Sequence, residues 1–217
     1  MDKIDFEGFF LKNKFLLITG FIIVALIIGG VFGFNYYNYK MAGNADKLLW
    51  KGVRLYMSFN GKNQKVIVRS VSYLKRLKNK YNGTQAYNIS NFYLGLDYMR
   101  VGKLKRALSY LREYAKIYPK PDSNNLTYLA YSNMAAIAML QKKYNDAISY
   151  FSDMAKIDNI KLQEYALFEE ASLYTQIKEP ERAVAIYKTM LTNDAVTKDR
   201  GLIENLIQLN LSSGQTK

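Results

Sequence analysis

The feature that most constrains this chain is residues 15–34, FLLITGFIIVALIIGGVFGF, which contain no charge. At a rise of about 1.5 Å per residue, a helix of that length crosses a hydrocarbon layer of roughly 30 Å. Asn35, Tyr36, Tyr37 and Tyr39 follow, then Lys40. Aromatic rings favour the membrane–water boundary and lysine stays outside it. The reading is an anchor over residues 15–36, a short tail over 1–14 and one polar domain over 41–217. A buried helix of a soluble fold is the alternative, but a chain this short would have difficulty covering such a run. A cleaved signal peptide also fits the basic-then-apolar order, with Gly43-Asn44-Ala45 as a cleavage site. Its apolar core is usually only about 7–15 residues, however, and here a polar segment intervenes.

Three lysines precede the span (Lys3, Lys12 and Lys14), and Lys40, Lys47, Lys51 and Arg54 follow within twenty residues. Charge therefore leaves the orientation open. In the tail, Phe6, Phe9 and Phe10 fall at helical spacing, as in a segment lying in the interface. Within the span, Ala25, Gly29 and Gly33 recur every four residues, a spacing that lets a second helix approach closely.

The polar part is long enough for a proper core. It has no cysteine, hence no disulfide and no thiolate metal site, and no histidine, hence no imidazole for proton transfer near neutral pH. Phosphate-binding loops, zinc-protease motifs and nucleophile elbows are missing from the sequence. The paired acids Glu169-Glu170 and Glu179/Glu181 read as solvated helix faces. The expectation is a non-enzyme with no cofactor and no metal.

Charge is placed unevenly. Residues 41–120 hold 17 Lys/Arg against 3 acids, a net of +14, whereas residues 121–217 hold 10 against 12, a net of −2. Such a field draws anionic lipid headgroups, nucleic acid or acidic proteins. Its densest part is the helix expected over 63–81, with Lys65, Arg69, Lys75, Arg76, Lys78 and Lys80 as a basic face. The apolar stripe expected there is Val66, Val68, Val71, Leu74 and Leu77. A helix over 45–59, stopped by Asn60-Gly61, is expected to precede it.

From there the chain repeats itself. Leu94-Gly95-x-x-Tyr98, Ala107, Leu111 and Pro119 match the tetratricopeptide pattern L-G-x-x-Y…A…F…P. Ala135, Ala138, Ala147 and Phe151 repeat the offsets, as do Ala171, Tyr174, Ala183 and Tyr187. Small residues at a helix crossing permit close packing, and each pair of helices buries its apolar face only by stacking on the next. The expected fold is all-α: a single N-terminal transmembrane helix followed by a tetratricopeptide-like α-solenoid. Its repeats lie near 45–81, 88–120, 128–159 and 164–195, and a terminal helix over 197–211 closes it.

These features resemble a bacterial family: the single-span tetratricopeptide proteins that form an ancillary subunit of the SecYEG translocon. The likeness rests on the entry Phe9-Phe10-Leu11-Lys12-Asn13-Lys14 before a glycine-rich span. It rests also on the exit Gly33-Phe34-Asn35-Tyr36-Tyr37, and on a degenerate first helix pair that leads through Tyr81-Asn82-Gly83-Thr84 into the repeats. The basic 41–120 half goes beyond that family's pattern. The resemblance implies an inner-membrane protein with a cytoplasmic amino terminus and periplasmic repeats. Its implied partners are the translocon and periplasmic chaperones or exported chains. The family has no catalytic motif, so no functional residue carries over.

The first helix of each pair lines the concave side of a tetratricopeptide stack. The expected protein-binding groove comprises Phe92, Leu96, Met99 and Arg100, then Ser132, Ala136 and Met139, then Tyr165, Phe168 and Ser172. Arg100 would take a carboxylate, and the basic face would sit near anionic headgroups. The competing function is a cytoplasm-facing basic module for ribosome, nucleic acid or an anionic membrane surface. RNA-binding motifs are absent from the sequence, and no nucleic acid is expected.

Overall fold

The computed structural model describes residues 6–118, 126–192 and 199–214. Among these the fold is all-α: α1 (Phe6–Ser58), α2 (Gln64–Lys80), α3 (Gln85–Arg100), α4 (Leu104–Ile117), α5 (Leu126–Leu140), α6 (Tyr144–Ala155), α7 (Ile160–Gln176), α8 (Pro180–Thr192) and α9 (Arg200–Gly214). Each helix from α1 to α9 packs on the next, and α1 also lies against α3. Pro119, the 120–125 turn, the start of the closing helix at 197 and the chain's last three residues lie outside the described residues.

The long apolar run and the first helix of the packed repeats are one element. The sequence reading starts a new helix near residue 45, but α1 runs unbroken for 53 residues through Gly43. A mid-helix glycine costs only about 1 kcal/mol. Here the helix beyond it is fixed by burial of Ala45, Leu49 and Val53 against the rest of the fold. The apolar part, by contrast, is exposed along its length. It is the one helix among the described residues long and apolar enough to cross a membrane.

The repeat phase is visible as packing. Ala107, Ala147 and Ala183 are each 0% exposed, and Leu111, Phe151 and Tyr187 are buried beside them. A Cβ on Gly95 would lie 2.6 Å from Leu111 Cγ and 3.3 Å from the Ala107 carbonyl, so α3 and α4 touch backbone to side chain. Gly52 does the same for α1 and α2, where a Cβ would meet Leu74 Cδ2 at 2.6 Å.

Turn geometry repeats as well. Gly102, Lys142 and Lys178 adopt φ of 71°, 57° and 63°, each five residues before its marker alanine. In each turn the following amide reaches back five residues: Lys103 N–H to the Tyr98 carbonyl, Lys143 to Ala138 and Glu179 to Tyr174, all at 2.9 Å. This is the left-handed helix stop that glycine favours, and two of the three positions use lysine at some conformational cost. Side chains cap three further entries: Asn63 accepts from Lys65 N–H, Thr84 from Tyr87 N–H and Asn159 from Leu162 N–H.

On α2 the buried stripe is Ile67, Ser70, Leu74 and Leu77, with Val71 packed beside it. Val68 points to solvent at 66% exposure. The polar Ser70 belongs inside because its hydroxyl has partners there.

Candidate functional site

The expected groove divides when its residues are located. Phe92 is a core residue, 3% exposed, with its ring 5.5 Å from that of Tyr114. It cannot line an open surface. The physical reason is that α3 is buried nearly all round, with neighbours on three sides in α1, α2 and α4. Leu96 and Met99 are half-buried against the same core. Arg100 is exposed but occupied: Nη1 donates to the Tyr56 carbonyl at 2.6 Å, and the guanidinium lies 3.7 Å from the Tyr56 ring centroid. It ties α3 to the end of α1, so a free carboxylate would have to displace these contacts.

The outer positions do come together. Ser132 of α5 lies near enough to Tyr165 of α7 to act on its phenol. The Tyr165 ring meets Phe151 edge-on at 6.1 Å, yet the residue stays 44% exposed. Ala136 is half-buried, whereas Met139 and Ser172 are exposed.

Phe168 packs edge-on against Tyr187 at 6.1 Å. With Tyr165 it forms the floor of a cleft of about 290 Å³ between α7 and the α8–α9 end, where Met190, Leu202 and Ile203 add apolar wall. Lys161, Glu164 and Asp199 supply both signs of charge. No motif marks those three; only register places them there, Lys161 one turn before Tyr165, Glu164 one turn before Phe168 and Asp199 just ahead of α9. Glu169 and Glu170, expected on solvated faces, are half-buried. Burial holds both carboxyls above their usual range, with Lys156 opposing the effect at Glu170. Burial also raises the Tyr165 phenol, helped by Glu169.

The basic face loses one member. Lys65, Arg69, Lys75, Arg76 and Lys80 are exposed on α2. Lys78 turns inward: its side chain is 15% exposed, and Nζ donates to Glu113 Oε1 at 2.7 Å and to Asn91 Oδ1. The ammonium also sits 4.4 Å from the Tyr87 ring centroid. A buried lysine needs such partners, and Glu113 arrives from 35 residues away. In the span, Gly29 and Gly33 have nothing within 4 Å of where a Cβ would stand, so this face is uncovered in the isolated chain.

A sequence family described as a tetratricopeptide repeat-like domain matches residues 8–213. The chain belongs to that family. The match begins ahead of the apolar run, so this tetratricopeptide repeat-like chain is matched across apolar helix and repeats together. No curated protein matches the sequence. Stacked helix pairs present extended surfaces to protein partners, and the chain has the build of a protein-binding scaffold joined to one long apolar helix.

Proposed function

We propose that this chain is a non-enzymatic, membrane-anchored adaptor that binds protein segments at the Tyr165–Phe168 cleft. We place it as an accessory subunit of the Sec translocon in a bacterial inner membrane, with its amino terminus cytoplasmic and its repeats periplasmic. There it would link exported chains to periplasmic chaperones. The observation that carries the adaptor reading is the exposed aromatic and apolar floor beside a mixed-charge rim, on repeats fixed to a single long helix. The translocon assignment rests on the resemblance of the span's entry and exit. Ala25, Gly29 and Gly33 offer a face on which a translocon helix could pack closely.

The test is crosslinking to membrane partners with Tyr165→Ala combined with Phe168→Ser, alongside circular dichroism. Substituting Phe92 is unsuitable, because emptying that buried site would cost about 3–5 kcal/mol by itself. Partner capture is expected to fall severalfold with helicity kept. Undiminished crosslinking on an intact fold would remove the cleft as the binding site.

A further inference from the structure

A second surface, remote from the cleft, lies where the anchor helix leaves the membrane side. The inner face of α1 beyond the span packs on the fold through Ala45, Leu49 and Val53. Its outer face carries Trp50, 61% exposed, and Met57, 67% exposed, seven residues apart on one line. Lys47, Lys51 and Arg54, all exposed, lie along one side of that line, and the exposed Asp46 sits on it one turn before Trp50. Lys51 Nζ lies 5.9 Å from the Tyr73 ring of α2, which joins the two helices into one surface, with Arg76 one turn further along α2. Residues 37–81 contain eleven Lys/Arg and a single acid, Asp46. Among the described residues no carboxylate pairs with Lys47, Lys51, Arg54 or Arg76.

The membrane is a poor occupant for this face. Trp50 is 14 residues beyond Tyr36 on an unbroken helix, about 21 Å along the axis. The headgroup layer is only about 5–7 Å deep, and physiological salt screens charge within about 8 Å. Nucleic acid fits no better. Successive bases ask for successive stacking platforms, and here one indole is followed by a thioether roughly 10 Å away. A helix with apolar residues on one line and carboxylates along one side of it fits both features. We propose that the Trp50–Met57 face docks an acidic amphipathic segment of a partner protein. The inference rests on the adaptor reading and assigns that adaptor a second contact.

Trp50 is the only tryptophan, so its fluorescence reports this face alone. The full chain is placed in zwitterionic phosphatidylcholine nanodiscs and titrated with a synthetic tryptophan-free helical peptide bearing a leucine stripe and glutamate flanks. Trp50 emission is expected to move saturably to shorter wavelength. The apparent Kd should rise about tenfold in Lys51→Glu/Arg54→Glu and in the milder Lys51→Gln/Arg54→Gln. Lys188→Glu, at an exposed position on α8, should leave it unchanged. The proposal is overturned if the peptide produces no shift or if the charge variants bind it as wild type does. It is equally overturned if phosphatidylglycerol discs alone or oligouridine produce the shift while the peptide is inert. None of these outcomes bears on crosslinking at Tyr165 and Phe168, so failure here is distinguishable from failure of the adaptor reading.

Discussion

Gly95→Val is expected to cost about 3 kcal/mol of stability, at the upper end of the range for overpacked cores. A Cβ at residue 95 would stand 2.6 and 2.7 Å from Leu111 Cγ and Cδ2, closer than real Cβ contacts come. Leu111 cannot swing away, because it is 0% exposed and enclosed by the core. The Ala107 carbonyl at 3.3 Å is backbone and moves only with α4. Valine's better helix propensity returns less than 1 kcal/mol. For a chain of this size the melting temperature should fall by roughly 6–12 °C, measured by circular dichroism on the detergent-solubilised full chain. Gly201→Ala is the control. It sits in α9 with nothing within 4 Å and should be neutral or slightly stabilising. Equal melting temperatures for Gly95→Val and wild type would mean that α3 and α4 do not cross at Gly95.

The second large effect is a pH dependence centred on Asp97. This residue is 0% exposed where α1, α2 and α3 meet. Ser70 Oγ lies 2.6 Å from Asp97 Oδ2 and 3.0 Å from the Gly52 carbonyl. A serine hydroxyl has one proton and cannot donate to both. A protonated carboxyl resolves the conflict, since Asp97 then donates to Ser70 and Ser70 to Gly52. Asp97 Oδ1 has no partner. Burial accordingly raises this carboxyl to about 7, against smaller opposing effects of Ser70 and the Arg100 guanidinium. Besides Arg100, the titratable group facing this junction is Tyr56 of α1.

The folded pKa is above the unfolded value near 3.8, so the folded state holds a proton that the unfolded chain has released. Stability is fullest below about pH 4, falls as pH rises toward 7 and levels off above it. Each pH step of one between those two values removes at most about 1.4 kcal/mol. Urea unfolding should therefore show wild type weaker at pH 8 than at pH 5 by a few kcal/mol at most. Asp97→Asn should remove most of that difference and be the more stable protein at pH 8. Parallel pH profiles for the two proteins would contradict a neutral Asp97.

What could be read from sequence follows from the range of the interactions. The Gly95, Ala107 and Leu111 spacing is set inside one helix pair, and its three copies reinforce one another. The long apolar helix is legible because twenty uncharged residues form it with no tertiary contact. Its fusion to the first domain helix is not, because burial of Ala45 and Leu49 by distant residues carries the helix through Gly43. Lys78 and Asp97 escape a reading of sequence for the same reason: Glu113 and Ser70 reach them from 35 and 27 residues away. Phe92 reads as a groove residue because α3 offers apolar residues in every direction, so its own pattern does not show which side is covered. Lysine at the left-handed turns carries no signal of its own; only alignment of the repeats marks Lys142 and Lys178.

We propose an adaptor held by one membrane helix with its repeats on the far side from the cytoplasm. Ser213→Cys tests it most directly. Residue 213 is exposed near the end of α9, and the chain has no other cysteine, so a single label reports the location of the repeats. In spheroplasts a membrane-impermeant maleimide should label this variant as fully as it does after permeabilisation. Labelling only after the inner membrane is opened would place the repeats in the cytoplasm and contradict the translocon-linked account.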